Sequence, residues 1–220
     1  MASITLFIGN HNYSSWSLRP WILLHHLGLA FDEVVIPLDQ PDTRARIEAV
    51  NPAGRLPLLR HGGLDVWDSL AICEYACELA GAGLPQDRAA RARARSAAAE
   101  MHAGFAALRS AWPMNVRASG RRTPMAPALA HDVDRIIGLW NDCRGRHAAG
   151  GPWLFGEYSL ADAMYAPVAL RFRTYGAVVT GPAADYLATV LADAHLGAWV
   201  AAAAAEPWTI AAAEVGAGSA

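Results

Sequence analysis

Apolar residues in the first eighty positions fall in short dense runs, whereas those after residue 87 recur at helical spacing. Ile4-Thr5-Leu6-Phe7-Ile8, Phe31 to Leu38, Pro57 to Arg60 and Leu64 to Trp67 read as strands, and Gly62-Gly63 is a hairpin turn between the last two. Helical segments intervene at about 17–28 and 69–80, with Gly28 placed to stop the first. Strand, helix, strand, then a hairpin and a helix, predict a small α/β layer domain. Gly81-Ala82-Gly83-Leu84-Pro85 reads as a linker.

Beyond Asp87 the pattern is helical throughout. Met101, Phe105, Leu108 and Trp112 step by four, three and four, one face of a single α-helix. Further helices fit Pro127 to Arg146, Leu160 to Tyr175, Ala183 to Ala194 and Gly197 to Ala205, punctuated by prolines at 113, 124, 152 and 182. Residues 215–220 read as a frayed tail.

Composition narrows the function classes. The 220 residues carry a net charge of −2, which supplies no electrostatic case for a nucleic-acid partner despite Arg88, Arg91, Arg93 and Arg95. Although 54% of residues are hydrophobic, no run is long enough to span a bilayer, and no secretory signal pattern opens the chain. Three cysteines without framework spacing read as buried free thiols, and adjacent His25-His26 as split between a buried and an exposed face. Without a Cys/His cluster, no metal is expected.

Chemistry concentrates in three loops. Ser14, Ser15 and Ser17 crowd the start of the first helix, with Pro20 in its first turn. Such a terminus offers unpaired N–H groups and a partial positive charge, so the serines are either caps or part of a site for an anion such as a thiolate. Asn51-Pro52-Ala53-Gly54-Arg55-Leu56-Pro57 is either a turn with a surface arginine or, with a cis Pro57, a loop in which Leu56 pairs through its backbone with an extended peptide and Arg55 meets a carboxylate. Asp68-Ser69 opens a helix with a carboxylate and a hydroxyl, suited to capping or to an amino-acid head group. Farther on, Ser159 and Asp162 have the form of a capping box and are read as structural.

In this order and spacing, these motifs resemble the cytosolic glutathione S-transferase family over essentially the whole chain. Ser14-Ser15-Trp16-Ser17-Leu18-Arg19 is similar to the serine-type active-site turn, nearest to the Ser-Ser-Cys form of the zeta class, with Trp16 in place of its cysteine. The resemblance implies α/β plus all-α architecture: a thioredoxin-like glutathione-binding domain over 1–81, then a helical-bundle domain over 88–220. It implies that Ser14 hydrogen-bonds the glutathione sulfur, with Tyr13 and Ser15 as alternative partners. It also places the cysteinyl part of glutathione on Leu56 beside Pro57, the γ-glutamyl group on Asp68 and Ser69, and Arg55 near the peptide. Trp16, Phe105, Trp112 and Met114 are candidates for an apolar electrophile pocket, or else ordinary core. The implied activity is conjugation of the glutathione thiolate to a small apolar electrophile by a cytoplasmic homodimer with no metal, nucleic-acid or membrane partner. The alternatives are a glutathione-dependent isomerase of the maleylacetoacetate type and a non-catalytic ligand-binding member of the fold.

Overall fold

A computed structural model describes residues 3–216, so most of the expected tail, 217–220, lies outside the described residues. Strand β1 (Ile4–Ile8) pairs in parallel with β2 (Asp32–Val35) and antiparallel with β3 (Leu58–His61), which continues antiparallel into β4 (Leu64–Trp67). The sheet order is β2-β1-β3-β4. β1 and β3 occupy the centre because their side chains are buried on both faces, whereas β2 and β4 are largely exposed edge strands. Helix α1 (Ser15–His26) follows β1, α2 (Thr43–Val50) follows β2, and α3 (Ser69–Ala80) follows β4. This is a thioredoxin-like layer with a mixed sheet.

Sequence reading missed α2, which has one buried side chain, Ile47, and therefore no apolar stripe to reveal it. β2 is shorter than expected. Ile36 still donates to the Ile8 carbonyl, but Pro37 has no N–H with which to extend the pairing.

The rest of the chain is helical: α4 (Arg88–Ala103), α5 (Ala106–Ala111), α6 (Pro127–His147), α7 (Leu160–Tyr175), α8 (Pro182–Leu191) and α9 (Ala194–Ala205). Two expectations need correction. The 101–112 face belongs to two helices, because Gly104 turns extended and Phe105 left-handed at φ 59° between α4 and α5. Met101, Phe105, Leu108 and Trp112 are nonetheless all buried, so the burial pattern survives the break. The last two helices are separate as expected but divide earlier, at residues 192–193 rather than 195–196, because Asp193 accepts from the Leu196 N–H as the N-cap of α9. His25 and His26 are both half-buried rather than split, while Cys73, Cys77 and Cys143 are buried and unbonded.

Helix α7 forms the axis of the helical part and is buried along nearly its whole length. Its start is fixed by Asp162, which accepts from the Ser159 N–H and hydroxyl through Oδ2 and from the Leu154 N–H through Oδ1. α1 packs between α3 on one side and α7 on the other, so the two parts share one hydrophobic core. That packing sets the α1 N-terminus at the junction. Near residue 216 the chain is tied down, with the Gly216 carbonyl accepting from Arg122.

Candidate functional site

The three loops named above converge on one cleft of about 740 Å³. Arg55, Leu56 and Pro57, the pair Asp68 and Ser69, and Trp16 all line it. The Asn51 side chain fixes the first loop, donating to the Arg55 carbonyl at 2.7 Å and accepting from the Ala53 N–H at 3.0 Å. Gly54 sits at φ 67°, a conformation its lack of a Cβ permits, and the Leu56–Pro57 bond is cis.

Asp68 is held at φ 74°, uncommon for a residue with a Cβ. In that conformation its Oδ1 accepts from the N–H groups of Leu70 and Ala71, capping α3. Its Oδ2 faces His102 Nε2 at 3.4 Å, a link from α4 that closes the cleft from the helical side. Burial holds the His102 imidazole below its ordinary pKa; Asp68 pulls the other way, while Arg19 and Arg109 add to the lowering. Ser69 is almost fully buried beside Asp68, and Arg19 approaches its hydroxyl at 3.5 Å.

Three guanidiniums gather nearby. Arg19 lies 4.3 Å and Arg109 4.7 Å from the Trp16 ring centroid, and Arg171 reaches Ser15 Oγ at 3.1 Å. Their donors go to neutral oxygens: Ser69 Oγ for Arg19, the Met101 and His102 carbonyls for Arg109, the Trp112 carbonyl and Ser15 Oγ for Arg171. Burial, then Arg109 and Arg171, lowers Arg19 to about 9, and burial with Arg109 lowers Arg171 to about 10. All three remain cations at neutral pH. With the N-terminal end of α1 they make this side of the cleft strongly electropositive.

The hydroxyls at the start of α1 have separate fates. Tyr13 donates its hydroxyl to Glu214 at 2.8 Å and receives from Arg117 at 3.2 Å. Ser15 faces α7 through Arg171, in the junction between the two parts. Ser14 is the N-cap of α1, and both it and the cleft residue Leu38 lie close to Gly9. A Cβ built on Gly9 would stand 2.8 Å from Leu38 Cδ1 and 3.2 Å from Ser14 Cβ. None of the three is among the residues that line the cleft.

Of the four apolar candidates, Trp16 lines the cleft, with 37% of its surface exposed. Phe105, Trp112 and Met114 are buried in the core, and Trp112 stacks on Tyr175 beside a different cavity. Sequence reasoning missed His102, Leu38, Ile47 and Trp67 as cleft residues. Only Trp67 carried a signal, a large aromatic ending an edge strand just before Asp68. Among the described residues there is no group of three His, Cys, Asp or Glu side chains that could hold a metal ion, and no single helix is long and apolar enough to cross a membrane.

Residues 13–79 match the family model for the glutathione S-transferase N-terminal domain. The chain is 29% identical to glutathione S-transferase L1 of Arabidopsis thaliana over 163 residues, 71% of this chain and 62% of that protein. It is 25% identical to protein IN2-1 homolog B of Oryza sativa subsp. indica over 172 residues, 77% of this chain and 65% of that one. The match thus spans slightly under two thirds of these relatives' length. Among solved structures, a Burkholderia glutathione transferase homolog with bound glutathione superimposes at TM-score 0.69 and 22% identity, covering 93% of this chain and 100% of that one. Glutathione transferase Omega 2C from Trametes versicolor superimposes at 0.67 and 19% identity, covering 90% and 93%. The fold is that of the glutathione transferases, and the family model and curated relatives support the glutathione S-transferase family for this chain.

Proposed function

We propose that the chain is a serine-type glutathione transferase, similar at its active-site turn to the zeta class, that adds the glutathione thiolate to a small electrophile. One observation carries the reading: loops distant in sequence supply Arg55, Leu56, Pro57, Asp68 and Ser69 to a single cleft beside an electropositive helix start. In this reading the first domain, residues 1–81, binds glutathione. The Leu56 backbone pairs with the cysteinyl unit, Asp68 takes the γ-glutamyl ammonium, Ser69 its carboxylate, and Arg55 a carboxylate at the other end. The domain over 88–220 contributes His102 and the cations behind Trp16, and the working unit is a homodimer.

Ser14 donates to the sulfur. A free thiol with a pKa of about 8.5 is only a few per cent thiolate at neutral pH. Each unit of lowering requires about 1.4 kcal/mol of preferential thiolate binding. A hydroxyl donor, a helix N-terminus and nearby guanidiniums act in that direction, so no general base is needed. Trp16 presents an apolar face for the electrophile.

The test is retention on immobilised glutathione together with turnover of 1-chloro-2,4-dinitrobenzene. Retention with turnover supports the transferase. Retention without turnover of this or any activated alkene points to a ligand-binding member, and failure to bind glutathione at all refutes the reading.

A further inference from the structure

Ser17 is completely buried in the first turn of α1, behind Ser14. Its Oγ accepts the Gly9 N–H at 3.1 Å and stands 2.8 Å from Ser14 Oγ. Among the described residues, Ser14 Oγ is the only acceptor within hydrogen-bond distance of the Ser17 hydroxyl. If Ser14 were the donor of the pair, Ser17 would keep a buried O–H with no acceptor, an arrangement that native structures avoid because its desolvation is uncompensated. Ser17 is therefore the donor and Ser14 the acceptor.

Ser14 Oγ also accepts the Ser17 N–H, at 3.4 Å. A serine hydroxyl has two acceptor positions and one proton. Both acceptor positions of Ser14 are taken from behind, so its remaining capacity is that of a donor alone.

We infer that Ser17 is a positioning residue that presets the Ser14 hydroxyl as a pure donor toward the glutathione sulfur. The inference rests on the reading of Ser14 as the sulfur's partner. A thiolate accepts hydrogen bonds, and Ser14 can satisfy it. A thiol would need to donate, and Ser14 has no acceptor position left for its S–H. The arrangement thus discriminates between two protonation states of one ligand, which is what lowers a bound thiol's pKa. No proton passes between the serines and the sulfur; the thiol proton leaves to solvent. Had Ser17 been alanine, the Ser14 hydroxyl could turn to accept from the thiol as readily as donate to the thiolate.

The experiment is titration of the thiolate absorbance of the enzyme–glutathione complex in Ser17→Ala, Ser17→Cys, Ser14→Ala and the double variant Ser14→Ala/Ser17→Ala. Ser17→Cys keeps the buried volume and supplies a weaker donor, so it reports even where alanine destabilises the turn. The expected result is a rise of about half a unit or more in the bound-thiol pKa for both Ser17 variants. Glutathione affinity measured below the thiol pKa should stay within about twofold, since the thiol form makes little use of Ser14. The double variant should titrate no higher than Ser14→Ala alone, because Ser17 acts only through Ser14. A wild-type pKa in Ser17→Ala or Ser17→Cys while Ser14→Ala raises it rejects the role of Ser17 and leaves that of Ser14 standing. Additive shifts in the double variant reject it as well. An unchanged pKa in Ser14→Ala refutes both readings at once.

Discussion

Glu206 and His11 are 195 residues apart in sequence, and their side chains meet at 3.0 Å. Glu206 ends α9; its Oε1 accepts from the His11 N–H and imidazole Nδ1, and its Oε2 from the Asn12 N–H. On the other side of the ring, His11 Nε2 lies 3.2 Å from Glu33, which also accepts from Trp21 Nε1. The loop that delivers Tyr13 and Ser14 to α1 is thus clamped from the far end of the chain. Burial alone would lower the His11 pKa, but hydrogen bonds and charge from Glu206 and Glu33 outweigh it and raise it to about 9.

A pH dependence of stability follows. The folded pKa lies above the unfolded value of about 6.5, so the stabilisation is fully present below pH 6.5 and is lost as pH rises through about 9. Urea denaturation should show stability falling by about 3 kcal/mol at most between pH 6.5 and 9.5. In His11→Gln that slope should flatten, with lower stability at pH 6.5. A slope of equal size in the variant would place the titrating group elsewhere.

If Ser14 is the partner of the sulfur as proposed, its neighbours Tyr13 and Ser15 serve structure alone. Tyr13→Phe removes the hydroxyl bond to Glu214, and Ser15→Ala removes an acceptor from the buried Arg171. Each should lower the melting temperature, corresponding to about 1–2 kcal/mol, while leaving the bound-thiol pKa at its wild-type value. A raised thiol pKa in either variant would transfer the sulfur contact to that residue.

In the proposed glutathione site, Asp68 and Ser69 differ in what their removal does to the fold. Asp68→Ala removes the α3 cap as well as a ligand carboxylate, whereas Ser69→Ala removes one buried hydroxyl. Glutathione binding by calorimetry should weaken by about 1–3 kcal/mol in each, and Asp68→Asn, which keeps the cap geometry, should still bind weakly because the charge is gone. Wild-type affinity in Ser69→Ala and Asp68→Asn would return both residues to plain capping.

Local chemistry was readable directly. β1, β3, β4, α3 and α7 fall where apolar runs, the Gly62-Gly63 turn and the Asp68 and Ser159 caps put them, since each signal acts within a few residues of itself. The same holds for the loop from Asn51 to Pro57, whose turn is closed by its own asparagine. α2 escaped notice for the reason that such signals exist only where burial is one-sided and periodic, and its single buried isoleucine makes no period. The break at Gly104 escaped because the apolar spacing continues unbroken across it.

The sequence by itself determined a layered α/β domain, a helical part, and which residues stand at three helix and strand ends. Only the tertiary structure decided what those residues do with their protons and charges. That Tyr13 turns to Glu214, that Ser15 meets Arg171, and that His102 closes over Asp68 all depend on how segments distant in sequence pack around the start of α1 and the start of α3. A hydroxyl's role as donor or acceptor is set by the partner that burial forces upon it, and four of the partners here come from elements 100 or more residues away or from across the domain junction. Helical periodicity can say that Arg171 lies on a buried helix, but only the packing of α7 against α1 brings its charge to the start of the first helix.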